Sequence, residues 1–152
     1  MDEDRRRLCQ VMGAAVVGAA LPSVGCGNGN GGMTGPHIFT TTFKAKDIAM
    51  NNFAFATGPG VNVNICRDAG GLFAEDADCT HAQCLLEFDD QTNPSAPQWQ
   101  CNCHGSKFDF EGNVINPPAA KTLVHYQLTI NTDGSCTFDL AKIVDPSTRT
   151  AG

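Results

Sequence analysis

Two short stretches concentrate cysteine and histidine: CTHAQC at residues 79–84 and CNCHGS at 101–106. Thiolate and imidazole are ligands for zinc and for iron–sulfur centres, and thiols that meet in an oxidising compartment form disulfides. Stripped to its spacing, the pattern is Cys79-x-His81, nineteen residues, then Cys101-x-x-His104. Two thiolates and two imidazoles suffice for a tetrahedral zinc site, which would leave Cys84 and Cys103 without a role. In each box the histidine follows its cysteine by only two or three residues. That arrangement favours one cysteine and one histidine reaching a centre from each of two facing loops. An iron–sulfur cluster with two histidines in place of two cysteines on one iron fits this set, and it frees the second cysteine of each box to staple the loops. Zinc leaves two residues idle, whereas the iron–sulfur option employs both boxes in full.

Positioning such loops calls for a rigid frame. At 152 residues the chain suffices for one domain with its own core, and sparse charge (17%) with abundant Gly, Pro, Asn and Thr leans towards a loop-rich β protein. HIFTTTFK, from residue 37, is β-branched and aromatic and reads as a strand. KDIAMNNFAFATGPG breaks any period and reads as a loop. VNVNICRD alternates apolar and polar, the mark of a half-buried strand, and AGG turns it into LFAEDA, its hairpin mate. In KFDFEGNVIN, Glu111-Gly112-Asn113 is a tight turn between short strands. LVHYQLTI and CTFDLAKI flank NTDGS, whose Asp133-Gly134 pair signals a hairpin. No window supports a long amphipathic helix, and there is no internal repeat. The expectation is an all-β domain with its Cys/His loops between strands, starting near Pro36 and ending near Pro146, with 147–152 as a tail.

With both boxes and the preceding RDAGGLFAEDADCTH in view, the chain resembles the Rieske iron–sulfur family, in its disulfide-containing branch. The resemblance runs from about Ile38 to Ala141. It implies one Rieske-type [2Fe–2S] cluster, with Cys79 and Cys101 on the inner iron, His81 and His104 on the outer, and Cys84 paired with Cys103. It also implies small antiparallel sheets with the cluster at the tip of a loop-rich subdomain. Pro117 and Pro118 in INPPAA look like the loop that shields the cluster from a third side. Ser106 matches the hydroxyl that hydrogen-bonds a bridging sulfide and raises the potential, and Gly105 would permit close backbone approach. Trp99 is expected to pack beneath the loops. His37 and His125 lie outside the boxes and are read as non-ligands. Cys66 and Cys136 could pair only if their Cα atoms come within about 7 Å. Quinol-oxidising relatives carry leucine and glycine where this chain has Ala82 and Gln83, and tyrosine where it has Phe108. The spacer between the boxes is also slightly longer than is common.

The N-terminal residues point to export. An arginine cluster, Arg5 to Arg7, runs into an apolar stretch from Leu8 to Leu21, then small residues and a Gly/Asn linker at 27–35. Fourteen helical residues rise about 21 Å, short of a bilayer core, so residues 1–26 read as an export signal rather than a membrane span. Its arginines resemble a twin-arginine signal, with Asp4 where serine or threonine is usual. SVGC resembles a lipobox with Ser23 in place of leucine, which makes Cys26 a candidate for lipid attachment to a membrane. The formal net charge is −6, and with no basic stripe nucleic acid is not an expected partner. An acidic surface is compatible with a basic redox partner protein, and also with simple solubility. The expected function is one-electron transfer by an exported, periplasmic or membrane-attached Rieske domain of residues 36–146, with no catalytic residues of its own. The alternative is a subunit of a quinol–cytochrome or molybdenum oxidoreductase complex. A ferredoxin serving a ring dioxygenase fits less well because such proteins usually lack the extra cysteines and are cytosolic.

Overall fold

The computed structural model describes residues 37–58 and 60–152, so the expected export signal, Cys26 and the expected linker lie outside the described residues. Among the described residues, ten strands form two antiparallel sheets. The first six-stranded sheet takes β1 (Ile38–Lys44), β2 (Asn52–Gly58), β3 (Val61–Asp68), β4 (Gly71–Asp76), β9 (His125–Ile130) and β10 (Ser135–Val144), in the order β1-β10-β9-β4-β3-β2. The second contains β5 (Glu87–Asp89), β6 (Gln98–Gln100), β7 (Lys107–Asp109) and β8 (Val114–Asn116) in sequence order. Since β4 and β9 are paired neighbours, the whole second sheet, with both Cys/His boxes, is one insertion between adjacent strands of the first.

The hairpins predicted for β3–β4, β7–β8 and β9–β10 form where the turn residues place them. Two expectations need correction. The loop assigned to KDIAMNNFAFATGPG contains β2, seven residues paired along their length with β3. Its run of Phe and Ala has no polar alternation, so no period marks it, and pairing with β3 decides its conformation. Nor is β3 half-buried: Val63, Asn64, Ile65 and Cys66 are all enclosed. Alternation sends Val63 and Ile65 into the core of the first sheet and Cys66 into that of the second, because the insertion covers the outer face.

The first core contains Val63, Ile65, Leu72, Ala74, Tyr126, Leu128, Phe138 and Leu140. The second is aromatic: Phe53, Phe73, Phe88, Trp99, Phe108 and Phe110 pack with Cys79 and Cys101. Trp99 is fully buried, with edge-on Phe53 at 4.9 Å between ring centroids and tilted Phe88 at 5.0 Å, which places it beneath the loops as expected. Cys66 and Cys136 are free and belong to different cores, so no bridge joins them. The segment assigned to a tail docks on the first sheet. Leu72 and Thr150 exchange backbone hydrogen bonds at 2.8 Å in each direction, and Arg149 pairs with Asp68 at 2.6 Å. Gly71, with φ 135°, admits this contact, since a Cβ there would stand 2.6 Å from the Thr150 carbonyl.

Candidate metal centre

The two boxes are built alike. In the first, Cys79 N–H donates to the Cys84 carbonyl at 2.8 Å and Gln83 N–H to the Cys79 carbonyl at 2.8 Å. In the second, Cys101 N–H donates to the Ser106 carbonyl at 2.8 Å and Gly105 N–H to the Cys101 carbonyl at 2.9 Å. Each box therefore closes on its own first cysteine, and in each the fifth residue takes a left-handed backbone: Gln83 at φ 57° and Gly105 at φ 80°. That conformation by itself favours glycine at 105. Gln83 adopts the same region with a side chain, at the position where quinol-oxidising relatives have glycine.

The placement of donors divides by type. Cys79 and Cys101 are free thiols with no exposure, while His81 and His104 are exposed, their rings edge-to-face with centroids 4.8 Å apart. Cys84 and Cys103 form a disulfide that ties one box to the other, across Cα atoms 6.5 Å apart. The sulfurs of Cys84, Cys101 and Cys103 lie within 4.8 Å of one another, but two of them are bonded together, so only Cys101 of that trio is a thiolate donor. Two dry thiols, two wet imidazoles and a bridge between the boxes match the chemistry of a mixed Cys/His [2Fe–2S] cluster.

Surrounding groups hold the boxes. Ser106 is fully buried, and its Oγ accepts Ala119 N–H at 2.9 Å. That bond occupies a lone pair of the oxygen and leaves the hydroxyl proton to donate. Pro117 and Pro118, joined by a cis peptide bond, stand exposed beside the second box. Asn116 pins them there, its Nδ2 donating to the Gly105 and Pro117 carbonyls, both at 2.9 Å. The Thr80 hydroxyl donates to the Lys121 carbonyl at 2.7 Å, which fastens the first box to the irregular segment that leads into β9. Phe108 is fully buried in the same core as Cys79 and faces Trp99 across β6 and β7. Asn116 and Thr80 were not picked out from the sequence; an asparagine directly before a double proline was the one available signal.

Comparison with known proteins agrees with this geometry. The family model "Rieske [2Fe-2S] domain" matches residues 39–127, more than half of the chain. Over 98 residues the chain is 31% identical to the Bacillus subtilis (strain 168) "Putative Rieske 2Fe-2S iron-sulfur protein YhfW", covering 60% of this chain and 18% of that protein. It is 35% identical over 71 residues to the cytochrome b6-f complex iron-sulfur subunit of Chlorobaculum thiosulfatiphilum, covering 47% and 37% respectively. The match thus spans well under half the length of either relative. Among solved structures, a chain in the complex of reduced oxygenase and oxidized ferredoxin in carbazole 1,9a-dioxygenase superposes with a TM-score of 0.54. That match covers 73% of this chain and all of the other at 16% identity, which speaks for the fold alone. Family model, named relatives, paired boxes and donor placement converge: this chain belongs to the Rieske [2Fe–2S] domain family, and its cofactor is one Rieske-type cluster.

Proposed function

We propose that the chain is an exported one-electron carrier in which Cys79 and Cys101 ligate the inner iron and His81 and His104 the outer. The observation that carries this reading is the division of donors, two buried thiols against two exposed imidazoles, on boxes stapled by Cys84–Cys103. When bound, the cluster supplies reversible one-electron chemistry. The protein's residues do the rest. The aromatic core beneath Cys79 and Cys101 keeps water from the inner side, and the exposed histidine edges offer a short route to a partner. The Ser106 hydroxyl supplies a donor inside the second box. Asn116 holds the proline loop against that box. No general acid, base or nucleophile is assigned. Export rests on the arginine-led apolar N-terminus, and Cys26 remains the candidate for lipid attachment. Among the described residues no helix is long and apolar enough to cross a membrane.

A second reading, a subunit of a larger oxidoreductase, is favoured by one observation: several relatives are cytochrome b6-f complex iron-sulfur subunits. Ala82 and Gln83 at the tip weigh against docking at a quinol site of that kind. The two readings separate in a pull-down of the tagged, full-length protein from native periplasm and native membranes. A carrier is recovered mainly as a free chain with substoichiometric redox partners. Stoichiometric recovery with a large redox subunit would replace the first reading by the second.

A further inference from the structure

Beneath the Cys/His boxes lies a buried acid that the cluster geometry does not use. Glu75 on β4 stands in register with His125 on β9. Alternation turns Leu72 and Ala74 to the first core, so Phe73 and Glu75 face the inserted sheet. The Glu75 side chain has no exposure and that of His125 has 1%. Around the carboxyl, the Cys66 thiol of β3 donates to Oε1 at 3.6 Å, and His125 Nε2 lies 3.4 Å from Oε2. From the inserted sheet, the Trp99 indole N–H of β6 is buried without a hydrogen-bond partner and acts on the carboxyl to favour its ionised form. The turn after β7 brings Gly112, with φ 78°, so near that an added Cβ would stand 2.9 Å from Oε2. Asp109 of β7 and Arg149 of the C-terminal segment are the further charges that act on Glu75. Arg149 is committed to Asp68 and lies over the Phe73 ring, and Asp145 acts on His125.

None of these neighbours supplies a free cation. His125 Nε2 lies 3.0 Å from the Glu111 carbonyl, which can only accept, so that nitrogen carries the proton. Its Nδ1 is buried without a partner. A second proton there would create a buried charge with no acceptor, and His125 is therefore neutral; burial above all holds its basicity down. An ionised Glu75 would be a lone charge in an aromatic core. Burial accordingly pushes its carboxyl well above the ordinary range, and it pushes the Cys66 thiol up as well.

We propose that Glu75 is a buried proton-uptake site linked to the electron of the cluster. Over the pH window in which it is ionised in the oxidised protein, one electron arriving from a donor protein brings one proton from solvent to the Glu75 carboxylate. Oxidation returns both, and no net charge is added to the core. The proposal rests on the chain carrying its [2Fe–2S] cluster. Glu75 precedes Cys79 by four residues, a Cα separation of at most about 14 Å. Trp99, whose N–H acts on Glu75, precedes Cys101 by two residues.

The test measures reduction potential against pH on the cluster-loaded full-length protein, native and Glu75→Gln. Visible and electron-paramagnetic-resonance spectra of the same samples report the cluster independently of Glu75. At low pH both side chains are neutral and the curves coincide. Above the window, the native potential falls below that of Glu75→Gln. If reduction raises the proton affinity tenfold, the separation is about 59 mV. Infrared redox-difference spectra of the native protein gain a protonated-carboxyl band on reduction within the window, and the variant lacks it. Curves that superimpose, or that differ by a pH-independent offset, overturn the proposal. So does a native protein with no carboxyl band at any pH, a readout that needs no variant to fold.

Discussion

Replacing Ser106 by alanine separates two roles of one oxygen. Ser106 is fully buried and Ala119, whose N–H it accepts at 2.9 Å, is 3% exposed. Removing the hydroxyl leaves that N–H without a partner and away from water, at a cost of about 1–3 kcal/mol in stability. The hydroxyl proton is the second role. A hydrogen bond to a charged acceptor is worth ~1.5–3 kcal/mol in total, and only the part that differs between oxidation states moves the potential. If that part is ~1 kcal/mol, a one-electron couple falls by roughly 40 mV, since about 59 mV corresponds to a factor of ten. Ser106→Ala should therefore retain iron, lose about 1–3 kcal/mol in denaturant unfolding, and show a potential lower by tens of millivolts in mediated potentiometry. An unchanged or raised potential with an intact cluster spectrum would mean that the hydroxyl does not face the cluster. Unchanged stability would mean that the bond to Ala119 contributes nothing.

Phe108→Tyr adds a hydroxyl in a fully buried position of the core that holds Cys79. It is expected to raise the potential by tens of millivolts, and a lowered or unchanged value with the cluster intact would show that residue 108 does not reach the Cys79 sulfur. Replacing both Cys84 and Cys103 by serine opens a closure of sequence separation 19, worth about 3 kcal/mol in chain entropy. Chemical unfolding should shift accordingly, and both the potential and the lifetime of the bound cluster should fall; equal stability of the two proteins would count against the disulfide as the tie between the boxes. The Asp89 side chain accepts hydrogen bonds from Thr92 and Gln98, and these hold its pKa down to about 2. A depressed carboxylate stabilises above its unfolded value near 3.9 and loses that contribution as pH falls through about 2. Melting curves of Asp89→Asn should therefore converge on those of the native protein on acidification across that range. Parallel curves would refute the link.

The site was more legible in the sequence than the frame. Cysteine and histidine do their chemistry wherever the backbone places them, so CTHAQC and CNCHGS put their candidate donors in plain view, and the disulfide joins the two residues that the family resemblance paired. Strands closed by local turns were visible for the same reason: Asp133-Gly134 and Glu111-Gly112-Asn113 carry their geometry in neighbouring residues, and Gly134 and Gly112 take the positive φ they require. What was hidden depends on partners distant in sequence. β2 has no period of its own and is defined by β3. Asn64 and Glu75 occupy positions that alternation assigns to the outer face of the first sheet, which reads as solvent until the inserted sheet covers it. Ser147 to Gly152 look like a polar tail, yet Thr150 and Arg149 are drawn onto β4 and its turn by Leu72 and Asp68.

The most direct measurement is the metal and sulfide content of protein purified from iron-replete cells. Two dry thiols, two exposed imidazoles and a disulfide between their boxes should hold two irons and two acid-labile sulfides per chain, with a reddish-brown colour. Stoichiometric zinc without sulfide would contradict the central claim, because the same four donors also satisfy a tetrahedral zinc site.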